Sequence, residues 1–169
     1  MKLARRLPVD VRLPALPAMF DGPAMARRLN AALDAEHEGC DLLATVTHCL
    51  IDRIKYRPGR NCTVGYRLAV RTHRNAEPSE RRLAVTMYPE DECTRRLEQV
   101  LSLAAACDPP GGPLSPFVGP MLLLDIGSVA TPFPIDRKLP GLVALARPDR
   151  LLTALPGIAA VHGARDWRH

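Results

Sequence analysis

A chain of 169 residues is long enough to bury the core of one domain, and its net charge of +5, from 23 Lys and Arg against 18 Asp and Glu, favours acidic partners only weakly. Aromatic residues make up 4% of it, which excludes the stacking platform of a single-strand nucleic-acid binder, and the cations are mostly arginine in the proline- and alanine-rich composition of a GC-rich genome. The five cysteines form no C-x-x-C pair and no histidine pair stands at zinc-ligand spacing, so reduced thiols in a cytoplasmic protein without a structural metal are expected; no apolar run approaches the ~18 residues of a membrane span.

Residues 1–22 are punctuated by Pro8, Pro14 and Pro17, with Leu13, Leu16 and Phe20 as apolar anchors, and read as an extended arm that packs on something. Asp21 offers an N-cap. Behind it Met25, Leu29, Ala32 and Leu33 recur at helical spacing, which predicts an amphipathic helix over 23–37. From Thr45 to Tyr56 the period shifts to two, with Val46, Leu50, Ile54 and Tyr56 on one face and Thr47, Arg53 and Lys55 on the other.

Pro58 and Gly59 then supply the fixed φ and the positive φ of a type II turn, so two strands meet there. Lys55, Arg57, Arg60 and Arg67 crowd this turn, either as a solvated basic hairpin or as positive charge gathered around backbone N–H groups for a phosphate. Beyond it Cys62, Val64, Tyr66, Leu68 and Val70 alternate with polar residues as one buried strand face. A polar loop over 72–80 precedes a third strand, Arg82 to Tyr88, in which Leu83, Val85 and Met87 share a face.

A second helix is predicted from Asp91 to Ala106, striped by Leu97, Val100, Leu101 and Leu103, and the Pro109-Pro110-Gly111-Gly112-Pro113 run ends it. Met121 to Ile126 reads as a buried strand, Thr131 to Asp136 as a proline-bounded segment, and Pro148 to Ala154 as a short helix. The order predicts an α+β domain, a small antiparallel sheet with packed helices, over 23–155, followed by a tail over 156–169.

Two stretches carry a resemblance. Ile54-Lys55-Tyr56-Arg57-Pro58-Gly59-Arg60 with the Tyr66-Arg67-Leu68 strand, and Pro132-Phe133-Pro134-Ile135-Asp136-Arg137-Lys138-Leu139-Pro140-Gly141-Leu142, look like the "YxPGRR" hairpin and "FPxDxxLxxL" segment of aminoglycoside-phosphotransferase-like proteins, in the amino-terminal lobe of the protein-kinase-like fold. The resemblance implies ATP-dependent phosphoryl transfer to a small-molecule hydroxyl, with Mg²⁺ on the phosphates. It implies nucleotide-contacting roles for Arg57, Pro58, Gly59 and Arg60 over the phosphates, for Thr86 at the position of a strand lysine, and for Glu98 as the acidic partner of that lysine. The residues themselves favour Glu98 as an ordinary solvent-facing helix glutamate.

The sequence departs from that family where chemistry is done. Thr86 cannot supply a lysine's point charge, and no lysine lies between Lys55 and Lys138. In Val161-His162-Gly163-Ala164-Arg165-Asp166, Ala164 stands where an H-x-D loop carries its base. The expectation is a truncated or free-standing lobe, inactive alone, that covers an apolar interface with a second lobe, by self-association or with a protein partner. The alternatives are a protein-interaction or regulatory module without nucleotide, and a basic nucleic-acid binder using Lys55, Arg57, Arg60, Arg67 and Arg71 as one stripe.

Overall fold

A computed structural model describes residues 9–36, 44–72, 77–104, 117, 119–133 and 135. In chain order it contains a 3₁₀ helix at Leu16–Phe20, α1 (Gly22–Glu36), β1 (Thr45–Arg57), β2 (Asn61–Arg71), β3 (Ser79–Met87), α2 (Glu90–Ala104), β4 (Met121–Leu123), a second 3₁₀ helix at Leu124–Ile126, and β5 (Ser128–Pro132). The strands form one antiparallel sheet in the order β1-β2-β3-β5-β4, which places β1 and β4 at its edges. The α+β class with a small antiparallel sheet is therefore present. No helix among the described residues is long and apolar enough to cross a membrane.

One face of the sheet is closed by α1 and the arm. Cys62, Val64, Tyr66, Leu68 and Val70 of β2 and Leu83, Val85 and Met87 of β3 are buried against Met25, Leu29 and Leu33 of α1, which recur every fourth residue and so share one helix stripe. Asp21 caps α1 as expected: its Oδ1 accepts the Ala24 N–H at 2.9 Å. The helix begins tight against the sheet, where any Cβ at Gly22 would collide with the Cys49 carbonyl. Asn30 then meets the edge strand with its side-chain amide, accepting from the Val46 N–H at 2.7 Å and donating to the Val46 carbonyl at 3.1 Å. This satisfies backbone groups that an edge strand leaves open.

Four expectations change. The arm is not extended over its last residues: Leu16–Phe20 wind into a 3₁₀ turn, with Pro17 near its start and Leu16 and Met19 buried. The buried Tyr66 hydroxyl donates to the Met19 carbonyl, so the turn is tied to the middle of β2. In β1, irregularities in pairing fall between Val46 and His48 and between Ile51 and Arg53. Each inserts one residue and flips the alternation, so Cys49 and Ile51 turn inward and Leu50, expected inside, is 57% exposed. The second bulge restores the phase, and Ile54 and Tyr56 lie opposite the buried Val64 and Cys62.

The predicted strand Met121 to Ile126 stops at Leu123. A 3₁₀ turn follows, closed by Gly127 at φ +55°, with Leu124 80% exposed. The residues after it, expected as an irregular segment, form β5 between β3 and β4. The predicted helix at Pro148 to Ala154 and the tail over 156–169 lie outside the described residues.

The bulges give two leucines of one hairpin opposite fates. Leu68→Ala should lower stability by about 2–5 kcal/mol, as for a buried leucine left as a cavity, and Leu50→Ala should stay within about 0.5 kcal/mol, both read from urea unfolding midpoints.

Candidate functional site

Among the described residues, the second face of the sheet is covered at one end, where α2 lies on β5 with Val100 and Cys93 buried. Over β1, β2 and β3 no described residue covers it. The register runs Lys55, Thr63, Thr86 and Val129 across four strands in one row, and Arg53, Gly65, Ala84 and Thr131 in the next. These rows line a groove of about 400 Å³, walled by Tyr88, Val100 and Ile135 on the α2 side. Its floor is low because Gly65 and Ala84 carry almost no side chain.

Positive charge stands along one side of this groove. Arg53 and Lys55 project from β1, both exposed, and neither has an ion pair or side-chain hydrogen bond among the described residues. No described residue lining the groove is acidic. The other cations nearby are committed: Arg67 pairs with Asp52 at 3.4 Å, and Arg96 pairs with Glu92 at 2.9 Å while lying over the Tyr88 ring at 5.6 Å. On the floor, the Thr63 and Thr86 hydroxyls share a hydrogen bond of 3.0 Å. Only one of the two protons is used in that bond, so the pair keeps a donor for a ligand.

The hairpin turn forms as its sequence demands. Gly59 takes φ +64° and the Arg60 N–H donates to the Arg57 carbonyl at 3.0 Å. The Gly59 N–H, however, is already taken. It donates to Asp10 Oδ2 at 2.8 Å, the Tyr56 hydroxyl donates to the same oxygen at 2.8 Å, and the Arg12 N–H donates to Asp10 Oδ1 at 3.0 Å. The Gly59 amide, helped by Tyr56 and the arm's own N–H groups, holds the Asp10 carboxyl below its ordinary value of 3.8 against a smaller opposing effect of burial. The same contact raises Tyr56, since ionising it would lose the hydrogen bond it donates to Asp10, with burial and then the like charge adding to this.

Of the residues singled out in the sequence, the structure places Thr86 in the groove and Arg57 to Arg60 at the hairpin tip. Glu98 is exposed on α2 and does not line the groove with Thr86. Asp10 and the groove pair Arg53 and Thr63 were not singled out. A lone aspartate in a proline-rich arm gives no periodic signal, and the groove exists only once the register is known.

Other nucleophiles are quiet. Cys49, Cys62 and Cys93 are free and buried, as expected of reduced thiols; burial pushes Cys49 up to about 12 and Cys62 up to about 11, and raises Cys93, so all three stay protonated. Cys40 and Cys107 lie outside the described residues. No group of three His, Cys, Asp or Glu among the described residues could hold a metal ion. Compared with protein-family models, with curated proteins and with solved structures, the chain matches none.

A depressed carboxyl contributes stability above its unfolded value that is lost as pH falls through its folded value. Wild type should therefore exceed Asp10→Asn in stability near neutral pH. The gap should close as pH drops through and below 3.8, read from urea unfolding at a series of pH values.

Proposed function

We propose that this chain supplies the nucleotide-binding lobe of an ATP-dependent phosphotransferase acting on a small-molecule hydroxyl, and that it transfers no phosphoryl group on its own. The observation that carries this reading is the open-face groove, with unpaired cations on one side, hydroxyl donors on a flat floor and an apolar wall from α2. Such a groove suits a planar ring beside an anionic tail. The element order also supports it: three antiparallel strands followed by a helix and a strand are the order of that amino-terminal lobe, and here β5 adds one more strand.

The chemistry of the group fits the residues in part. Arg53, Lys55 and the Thr63–Thr86 pair suit phosphate oxygens. Mg²⁺ in this reading travels on the phosphates, since the described residues hold no carboxylate cluster for it. No described residue lining the groove offers a carboxylate or histidine as general base towards an acceptor hydroxyl, so the reading stops at nucleotide binding. A partner lobe, from a second copy or another chain, would complete the catalytic set.

One observation favours a different reading, a protein-interaction or regulatory module without nucleotide. The Asp10 carboxylate takes the Gly59 N–H that a phosphate over the turn would use. Calorimetric titration of the full chain with ATP, with and without Mg²⁺, separates the two. Heat corresponding to a dissociation constant of about 1–100 μM supports the lobe. Silence in both titrations leaves the interaction module.

A further inference from the structure

We infer that Lys55 on β1, assisted by Arg53, is the polyphosphate-binding cation of this groove, replacing from two strands away the charge that Thr86 lacks. The inference deepens the nucleotide reading and rests on it for the identity of the ligand. Its ground is the register. Lys55 lies opposite Thr63 and Thr63 opposite Thr86, so the three side chains stand in one row on the open face. Adjacent strands are about 4.8 Å apart, so about 10 Å separates the Lys55 and Thr86 backbones. A lysine's flexible four-carbon stem covers most of that span.

Three features make this row the place for the anion rather than the hairpin tip. The bulge between Ile51 and Arg53 sets the phase that brings Arg53 and Lys55 together on the open face; without it both would change sides. Between the cations and α2 no described residue stands tall, since Thr63, Gly65, Ala84 and Thr86 are small, and the threonine pair keeps one hydroxyl proton free to donate. At the tip, by contrast, an approaching phosphate meets the Asp10 carboxylate, which already uses the Gly59 amide and adds a like charge. Arg67, two residues along β2 from Gly65, is held by Asp52.

The test uses the full chain, with inorganic tripolyphosphate and ATP titrated separately at low salt and folding checked by thermal melts. Lys55→Ala should weaken both ligands about tenfold or more, as for loss of a charge-assisted hydrogen bond, and Arg53→Ala should weaken both to a smaller extent. Lys55→Arg should stay within about threefold, because it keeps the charge on a stem of similar length. Arg27→Ala removes the same charge from an exposed site on α1, on the far side of the sheet, and should change neither titration.

The decisive variant is Thr86→Lys in the Lys55→Ala background. Lysine restored inside the groove should recover tripolyphosphate binding, which a merely structural role of Lys55 would not allow. Unchanged binding in Lys55→Ala, or weakening by Arg60→Ala in its place, overturns the inference and moves the anion to the hairpin tip. Tripolyphosphate bound through Lys55 with ATP no tighter retains the anion site and removes the nucleotide reading. ATP bound independently of Lys55 does the reverse, and failure of both ligands to bind wild type removes both.

Discussion

Everything else in the domain depends on an asymmetry in how the sheet is covered. The arm and α1 bury one face over β2 and β3, through the alternate residues of those strands, while among the described residues α2 reaches the β5 end of the other. Each fully buried valine or leucine contributes about 1.5–3 kcal/mol, so the closed face holds the stability of the unit. Where no described residue covers the second face, the strands carry mostly residues that tolerate water: threonine, alanine, glycine and cations, with Leu50 as an exposed exception. The groove is what remains between them and α2.

The arm is tied down at two points. Tyr66 reaches from the core to the Met19 carbonyl, and Asp10 gathers the Gly59 amide, the Tyr56 hydroxyl and its own strand of N–H groups at the hairpin tip. The Arg12–Asp91 pair also joins the arm to α2, but at 3.4 Å with side chains 55% and 72% exposed it contributes little. Directional donors to one carboxylate do more here than the ion pair. A hairpin tip that would otherwise project into water is therefore braced from the outside, and β1 and β2 keep the relative twist and register on which the groove depends.

Much of this could be read from the residues alone, for a physical reason. The stripe of α1 and the alternation of β2 are strict periods of 3.6 and 2, imposed by one continuous buried face, and Pro58-Gly59 is a turn signal with its own mechanism. β1 was legible as a strand but not in its facing, because a bulge leaves no mark on composition and a second bulge cancels the first. β5 escaped because Ser128-Val129-Ala130-Thr131-Pro132 is short and ends in proline, yet both of its neighbours cover it, and Pro132 sits at the strand's last position, where a missing N–H is tolerated. The groove could not be read at all, since it is a product of cross-strand pairing. Thr86 was marked by what it lacks, while Thr63, Gly65 and Arg53, which give that lack its setting, have no signature of their own.

The open face also explains why its charges stay unpaired. Arg53, Lys55 and Arg57 project from the same side of one strand at two-residue intervals of about 6.8 Å. In water such neighbours repel by about 0.6 kcal/mol each, and salt reduces that further. Several other arginines meet carboxylates: Arg28 with Asp125, Arg67 with Asp52, Arg96 with Glu92. Among the described residues that line the groove, no carboxylate answers Arg53 or Lys55. The repulsion is small enough for a well-buried core to tolerate, and an anion laid across the row would relieve it while gaining the threonine donor. A row of like charges on a surface with no partner among the described residues is thus a modest destabilisation of the free domain, and under the proposed reading a bound polyphosphate would convert it into affinity.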